Sequence, residues 1–576
     1  MKFFQRFVTC CAAVVLLVTF VPLATSSAGA TGAWSSAEEA PGTATLNAGG
    51  DAVPGAQSCS SSGNCGVIGY YADANNNYQG YVENEVGGRW QSAEEIPGLD
   101  ALNVGDQVGD ILEISCPGSG DCSAGGVFTD TNNDYQAFVV TESNGTWGNA
   151  VQIPGFSSTN GEGSGSELLA LSCSSPGNCS AGGQYVDTNN NLQAFVVNET
   201  KGTWANAVEV PGTASLNFGN NAQLEFLQCK APGACDGAGF YSGSNSQENT
   251  FVISEQGGTW QPAVALSANG LTAGDGAVVP ATLSCSSVGN CAMGGAYGIT
   301  SSSTGAFVAN EIGGSWQSAT TVNVSSITAG AQDTALLNSI SCASNGNCSA
   351  TGAISPAQKQ AQVFVVSEIN GSWVGPQMIP GLATLNAGDL ALGVSISCAL
   401  PGDCTMGGVY SDAQNNDHSF IVDQVNGAWQ TPIEVPGVDG LDTGQSASVT
   451  AVVCSADDSC SLSGVYTDSS MNVQAFVDTS AAAFSAPSAP VFIVTASGPG
   501  EISGVIGVPS RNGGVPVTGY QYSLNGGAWK NVALSPATVP RVRIRGLVAG
   551  KRYQVRVRAV NAVGDGASSS RTVVAE

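Results

Sequence analysis

Cysteines recur in this sequence at one fixed spacing. Of the 18 cysteines, 16 form eight pairs whose members lie six positions apart. A structural metal site would need four convergent nitrogen or sulfur ligands, but each pair supplies two sulfurs and His418 is the only histidine. The spacing therefore predicts eight local disulfides, and these imply an oxidising compartment. The predicted disulfides are Cys59–Cys65, Cys116–Cys122, Cys173–Cys179, Cys229–Cys235, Cys285–Cys291, Cys342–Cys348, Cys398–Cys404 and Cys454–Cys460.

Carboxylates are the second group that could do chemistry. Aspartates open four similar Asp- and Asn-rich turns, at Asp73, Asp130, Asp187 and Asp412. Oxygens at alternate positions suit calcium, but the glycine and the terminal glutamate of a helical calcium loop are missing, and Asp and Asn also favour turns by themselves. We therefore expect no metal and no cofactor, and we predict that these four aspartates bind the hydroxyl groups of a ligand.

Three glutamates, Glu113, Glu167 and Glu225, interrupt the repeated sequence and are the catalytic candidates if the protein is an enzyme. Two carboxyl groups about 5 to 10 Å apart suffice for glycoside cleavage. Serine–histidine catalysis is disfavoured because His418 lies in a turn without a nucleophile motif, where we expect a surface histidine. A sialidase-like arginine cluster is excluded because Arg89 is the single arginine between residues 31 and 486.

The first cysteines of successive pairs lie 56 or 57 residues apart, which defines a repeat of that length. This repeat must position the cysteines and carboxylates. Tryptophans keep the same period, from Trp34 to Trp429. One unit contains the segments ELLALSC, CSAGGQYVD, LQAFVVNET and GTWANAVEVPG, which are four short strands separated by turn residues. Four such strands make one propeller blade. A β-solenoid usually has shorter coils, and separate four-stranded beads would bury little surface.

The two ends of the repeat region indicate a closed ring. Residues 32–42 read as a fourth strand, whereas the eighth unit stops after its third strand at 473–480. Pairing the two predicts an all-β fold with an eight-bladed β-propeller over residues 31–486. Residues 481–490 are an alternative source of the last strand. In such a ring the Cys turns share one rim, and the four aspartate turns share the other.

The C-terminal sequence changes character after Pro487. Residues 487–576 resemble a fibronectin type III domain, through Leu547, Gly550, Tyr553 and the alternating residues up to Gly564. The resemblance implies a β-sandwich with Tyr553 at the tyrosine-corner position. Ile506 stands where the family has a core tryptophan, and no Arg-Gly-Asp triplet suggests integrin binding.

The repeats themselves resemble secreted actinobacterial proteins with Ser-Cys, Gly-Asn-Cys and Gln-Ala-Phe-Val signatures. That resemblance implies no particular activity. Residues 1–30 read as a signal peptide, with Lys2 and Arg6 before an apolar run too short to span a membrane. We therefore expect a secreted, extracellular protein without a membrane span.

Charge divides the two parts of the mature chain. Residues 31–486 hold 4 basic and 41 acidic residues, whereas residues 487–576 hold 10 basic and 3 acidic ones. Such acidity excludes nucleic acid as a partner of the repeats and is expected to serve solvation. The alternating arginines of RVRIR and VRVRA lie on strand surfaces, where they are solvated or contact an anionic wall polymer.

These observations favour a secreted, non-catalytic binding or scaffold protein, a monomer that engages carbohydrate or cell-surface ligands such as a polysaccharide or a cell-wall polymer. The alternative is an extracellular polysaccharide glycosidase or lyase that uses paired carboxylates.

Overall fold

The computed structural model describes residues 34–575, apart from 106, 157–164, 245, 270, 272–276, 301–302, 328–333, 356–360, 389, 481–486, 510–516, 533–539 and 562–563. The predicted signal peptide lies outside the described residues. Every helix among them is a single turn: Thr43–Leu46, Leu382–Leu385 and Val438–Leu441 are α-helical, and Thr213–Ser215 and Val324–Ser326 are 3₁₀ turns. No helix in this part of the chain is long and apolar enough to cross a membrane.

The chain is all-β, and each cysteine pair belongs to its own antiparallel sheet, numbered here 1 to 8 in chain order. Sheets 1 to 4 are formed by the following strands: Ala52–Ser61, Asn64–Ala72, Tyr78–Asn84 and Glu94–Glu95; Val108–Gly118, Asp121–Thr129, Tyr135–Ser143, Thr146–Trp147 and Val151–Gln152; Ser166–Ser175, Asn178–Val186, Leu192–Thr200, Thr203–Trp204 and Val208–Glu209; and Ala222–Ala231, Ala234–Ser242, Glu248–Gln256, Thr259–Trp260 and Val264–Ala265.

Sheets 5 to 8 repeat this arrangement, in which the fourth strand is short or divided in two. Their strands are the following: Val278–Ser287, Asn290–Thr300, Ser303–Ile312, Ser315–Trp316 and Thr320–Thr321; Thr334–Ser344, Asn347–Ser355, Gln362–Ile369, Ser372–Trp373 and Gln377–Met378; Ala391–Leu400, Asp403–Ser411, Asp417–Val425, Ala428–Trp429 and Ile433–Glu434; and Ala447–Cys454, Cys460–Thr467, Val473–Thr479 and Glu38–Glu39.

The eight predicted disulfides are confirmed. Each joins a first strand to a second strand, with Cα atoms 3.9 to 4.1 Å apart, and in seven of them the two cysteines are directly opposed. The Cys turn packs on the turn before the tryptophan, because the Gly202 N–H donates to the Gly177 carbonyl (2.9 Å). A Cβ on Gly177, whose φ is +68°, would lie 2.7 Å from the Gly202 nitrogen. The two kinds of turn therefore lie at the same end of the sheet.

Neighbouring sheets pack face to face through apolar side chains. Each third strand buries one aromatic ring completely: Tyr81, Phe138, Phe195, Phe251, Phe307, Phe364, Phe420 and Phe476. The core between sheets 1 and 2 combines Ile68 and Val82 with Phe128 and Phe138. Both faces of the middle strands are therefore covered.

The Ser-Cys signature is explained by hydrogen bonds between consecutive sheets. The serine hydroxyl of one sheet accepts the N–H of the cysteine that begins the turn in the next sheet, at 2.9 to 3.0 Å. At two junctions Gln228 and Val453 stand in place of the serine. The six serine–cysteine pairs are Ser58–Cys116, Ser115–Cys173, Ser172–Cys229, Ser284–Cys342, Ser341–Cys398 and Ser397–Cys454.

We predict that Ser115→Ala will lower the free energy of unfolding by about 1 kcal/mol, because it leaves the buried Cys173 N–H without an acceptor. Chemical denaturation of the purified protein measures this change. Ser174→Ala is the matched control, since the Ser174 hydroxyl bonds only within its own turn, to the Asn178 carbonyl. Equal effects of the two substitutions would contradict a linking role for Ser115.

The beginning of the described chain completes sheet 8. Glu38–Glu39 pairs antiparallel with Phe476 and Val477, and the Ala40 N–H donates to the Ala475 carbonyl (2.9 Å). Sheet 8 also meets sheet 1, since the Gln57 side-chain amide donates to the Ser461 hydroxyl (2.8 Å). The structure thus contains the pairing predicted from residues 32–42. Most of the alternative segment, residues 481–486, lies outside the described residues.

The C-terminal region forms two further sheets. One has the strand order Pro490–Gly498, Glu501–Pro509, Arg541–Arg545, and the other Lys530–Asn531, Gly519–Leu524, Arg552–Val560, Asp565–Val574. The two arginine-bearing strands therefore lie in different sheets. Ile506 is buried in the core, and the Tyr553 hydroxyl accepts the Val548 N–H (2.9 Å).

Candidate functional site

A polar cavity of about 370 Å³ is lined by the first strands of sheets 1 to 5. Its polar side chains include Gln57, Glu113, Glu225, Gln228 and Lys230. First strands supply this lining because they carry a bulge at their middle, where the register shifts between Leu224 and Phe226 in sheet 4. The bulge requires close approach to the second strand: a Cβ on Gly239 would lie 2.0 Å from the Gln223 carbonyl oxygen, which explains the repeated glycines.

Glu113 and Glu225 are the cavity groups with the most perturbed acidity. Burial raises the pKa of Glu113 to about 8. Burial, with a smaller contribution from the charge of Glu248, raises the pKa of Glu225 to about 8 as well. No described residue donates a hydrogen bond to either carboxyl group. At neutral pH both groups are therefore mainly protonated and free to bond a ligand.

Lys230 brings a positively charged group to the same cavity. Partial desolvation lowers the pKa of this exposed ammonium group below the ordinary value. The lining offers carboxyl groups, two amides and an ammonium group, which together can donate to and accept from the hydroxyl groups of a sugar.

Glu167, the third glutamate predicted for this centre, is not among the residues that line the cavity. It pairs across its sheet with Gln184, whose amide donates to the Glu167 carboxylate at 2.7 Å. Glu113 lies three residues before Cys116, whereas Glu167 lies six residues before Cys173, a displacement of about 10 Å along an equivalent strand. The structure brings Glu113 and Glu225 to one cavity and leaves Glu167 outside it.

The four aspartates predicted to bind ligand each close their own turn. One carboxylate oxygen accepts the N–H groups two and four residues later, as Asp73 does from Asn75 (2.7 Å) and Asn77 (2.9 Å). The hydrogen bonds of Asp130, Asp187 and Asp412 follow the same pattern. Hydrogen bonds from the turn, the Asn77 N–H first, lower the pKa of Asp73. These contacts account for the aspartates as turn residues, and ligand binding there remains a prediction.

Two further details differ from what the turn sequences suggested. Asp468 forms the same turn in sheet 8, with N–H donors from Ser470 and Asn472, and was missed because its sequence has fewer asparagines. His418 is half-buried rather than fully on the surface. It stacks on Tyr410, and its Nε2 lies 3.4 Å from Asp412.

Sequence reasoning missed a set of buried glutamates near the ends of the third strands. One occurs in each of sheets 1 to 6, at most 4% exposed: Glu85, Glu142, Glu199, Glu255, Glu311 and Glu368. Most accept a hydrogen bond from the preceding sheet, such as Asn84 to Glu142 (2.6 Å) and Thr479 to Glu85 (3.1 Å). Burial raises the pKa of all six carboxyl groups. The expectation that the acidity serves solvation is therefore wrong for these residues, which join neighbouring sheets.

Glu311, one of these six glutamates, interacts with Asp236 of the preceding sheet. Burial, together with the charge of Asp236 and its hydrogen bond, raises the pKa of Glu311 to about 8. Among the described residues, Asp236 with Cys285 and Cys291 is the single group of three potential metal ligands within 4.8 Å of one another. Both cysteines are in a disulfide, so this group does not suit a metal ion.

No protein-family model and no curated protein matches the chain. Among solved structures, the twitchin kinase region from C. elegans aligns over 16% of this chain and 16% of its own, at 27% identity and a TM-score of 0.14. The alpha-L-arabinanase of Penicillium chrysogenum, complexed with arabinobiose, aligns over 54% of this chain and 92% of its own, at 12% identity and a TM-score of 0.32. The subtype N11 neuraminidase-like protein of A/flat-faced bat/Peru/033/2010 (H18N11) aligns over 79% of this chain and 95% of its own, at 10% identity and a TM-score of 0.33. These scores are too low to carry an argument about fold or activity.

Proposed function

We propose that this is a secreted, non-catalytic carbohydrate-binding protein that takes part of a polysaccharide into the cavity between its first strands. The proposal includes an eight-bladed β-propeller over residues 31–486, made by sheets 1 to 8, and a fibronectin type III domain over 487–576. The pairing of Glu38–Glu39 with sheet 8 supports the ring, and the strand order with the Tyr553–Val548 bond supports the second domain.

One observation carries the binding function: Glu113 and Glu225 line one cavity, and no described residue occupies their hydrogen-bonding capacity. Both side chains are partly exposed to the cavity, and carboxyl groups that no described residue bonds suit a ligand with many hydroxyl groups. The disulfides support an extracellular location.

The enzyme alternative is less well supported by the same pair. Glycoside cleavage needs one carboxylic acid and one ionised carboxylate at the working pH. The pKa values of Glu113 and Glu225 are both about 8, so neither group is mainly ionised at neutral pH. A glycan can still be held by two neutral carboxyl groups.

We predict that Glu113→Ala with Glu225→Ala will weaken binding of the best neutral glycan on an array at least about tenfold, since it removes both free donors. Alanine already occupies equivalent positions, at Ala56 and Ala170 for Glu113 and at Ala281 for Glu225. Calorimetric titration measures the change, and Glu167→Gln is the control outside the cavity.

A second pair of substitutions separates binding from catalysis. Glu113→Gln with Glu225→Gln keeps neutral donors and is expected to retain binding, whereas it would abolish any release of reducing sugar. No binding to any glycan would overturn the proposed function. Loss of binding on substituting the turn aspartates Asp73, Asp130, Asp187 and Asp412 by asparagine, but not the two glutamates, would move the site to that rim.

A further inference from the structure

A second kind of cleft lies between neighbouring sheets, beside the Cys turns. One cleft, of about 510 Å³, separates sheets 1 and 2, and another, of about 410 Å³, separates sheets 6 and 7. Both are lined by equivalent residues, including three cysteines in each cleft and the asparagine or glycine of the facing turns. The clefts therefore recur with the repeat, and their differences in sequence can be compared position by position.

The cleft between sheets 1 and 2, named here the acidic cleft, contains Glu85, Glu94 and Glu142. Glu142 is 1% exposed, and its Oε2 has no hydrogen-bond partner among the described residues. Its Oε1 accepts from the Asn84 amide, whose own carbonyl oxygen has no donor either. No lysine or arginine is among the residues that line this cleft. The site thus offers unused acceptors and negative charge without a cation.

The cleft between sheets 6 and 7 has Glu368 at the position of Glu85 but lacks the other two carboxyl groups. Gln424 stands where Glu142 stands, and Gln377 stands where Glu94 stands. In sheets 2 to 4 the position of Glu94 holds the exposed residues Val151, Val208 and Val264. Two negative charges at this pair of positions are therefore a property of the acidic cleft and not a requirement of the repeat.

We propose that the acidic cleft binds the ammonium group of a non-acetylated amino sugar, at a site separate from the central cavity. The Glu142 and Glu94 carboxylates receive the ammonium, and the hydroxyl and amide groups of Ser60, Ser92, Ser119 and Asn144 contact the sugar ring.

A bare metal ion fits the acidic cleft less well than an ammonium-bearing ligand. Three carboxylate oxygens within 4.8 Å of one another do not occur there among the described residues. Burial, then the charges of Asp121 and Glu94, raise the pKa of Glu142 against the Asn84 hydrogen bond, and a bound cation would stabilise its ionised form.

Calorimetric titration of the full chain with a glucosamine tetramer tests this proposal, with the N-acetylglucosamine tetramer as the uncharged probe. We expect the glucosamine tetramer to bind at least about tenfold more tightly, because only its ammonium group can pair with the carboxylates. Glu142→Gln with Glu94→Gln gives these two positions the residues found in the cleft between sheets 6 and 7, and it should remove that preference.

The control variant Glu209→Gln with Asp439→Asn removes two exposed negative charges elsewhere and should keep the preference. Equal affinity for the two tetramers, or equal loss in both variants, would overturn the proposal, since general attraction to an acidic protein would then explain the binding. Binding in the cavity between the first strands is measured separately, with neutral glycans and the Glu113→Ala variant. The two proposals can therefore fail independently.

Discussion

Glu83→Val is expected to stabilise the protein at pH 8 by about 2 kcal/mol, an unusual gain for a single substitution in a folded chain. Glu83 is 1% exposed, and neither of its oxygens has a hydrogen-bond partner among the described residues. Burial, with a smaller contribution from the charge of Glu38, raises the pKa of Glu83 from 4.5 to about 9. The equivalent third-strand positions of sheets 2 and 3 hold Val140 and Val197, so valine fits this environment.

The sign of the pH dependence follows from the raised pKa. The folded state keeps Glu83 protonated while the unfolded chain releases the proton above its ordinary pKa. The contribution of protonated Glu83 to the free energy of unfolding is therefore complete below about pH 4.5 and is lost as the pH rises toward 9. The gain from Glu83→Val should accordingly grow from pH 5 to pH 8. Thermal unfolding at the two pH values measures this, with Glu209→Val as an exposed control.

The wild-type profile should show the same direction, because burial also raises the pKa of the six third-strand glutamates. Asp73 and Asp468 act in the opposite sense, since turn hydrogen bonds lower their pKa and their contribution is lost in acid. Together these groups place maximum stability in mildly acidic solution. A Glu83→Val protein no more stable than the wild type at pH 8 would show that Glu83 has a partner we have not identified.

The disulfides and the four-stranded repeat could be predicted because their signals are local. A cysteine pair six residues apart, or a turn residue between two short apolar runs, depends on few neighbours. The buried glutamates could not be predicted in this way. Alternation identifies an exposed face only where one face of a strand is solvated, and both faces of these middle strands are covered by adjacent sheets. Glu142 and Glu199 therefore looked like surface acids in the sequence.

Of the three glutamates that interrupt the repeat, two line the cavity between the first strands, and their role there stays a prediction. Membership in the cavity depends on distance from the cysteine. Glu113 and Glu225 lie three and four residues before it, and Glu167 lies six before it. A pattern of residue types alone does not show how far along its strand each residue lies. Counting residues from the cysteine would have distinguished Glu167 from Glu113 and Glu225.

Removing the strand that completes sheet 8 is expected to have the largest effect on the fold. We compare two chains, one beginning at residue 34 and one at residue 45. The shorter chain loses the main-chain bonds from Ser35 to Thr479, Ala37 to Pro436 and Ala40 to Ala475, together with buried Ala37 and Ala40. We expect a loss of about 4 kcal/mol, from roughly 1 kcal/mol for each hydrogen bond and a similar amount for the buried side chains.

The same deletion should change the state of association. It exposes the edge of Val473–Thr479, and an unpaired edge strand with a buried-type sequence pairs readily with another chain. Sedimentation of the shorter chain is therefore expected to show concentration-dependent oligomers, whereas the chain beginning at residue 34 sediments as one species. Ala40→Pro in the longer chain removes the N–H that bonds Ala475 and should reproduce part of the effect without any deletion. If both chains melt and sediment alike, sheet 8 is completed by another segment and residues 34–44 do not close the ring.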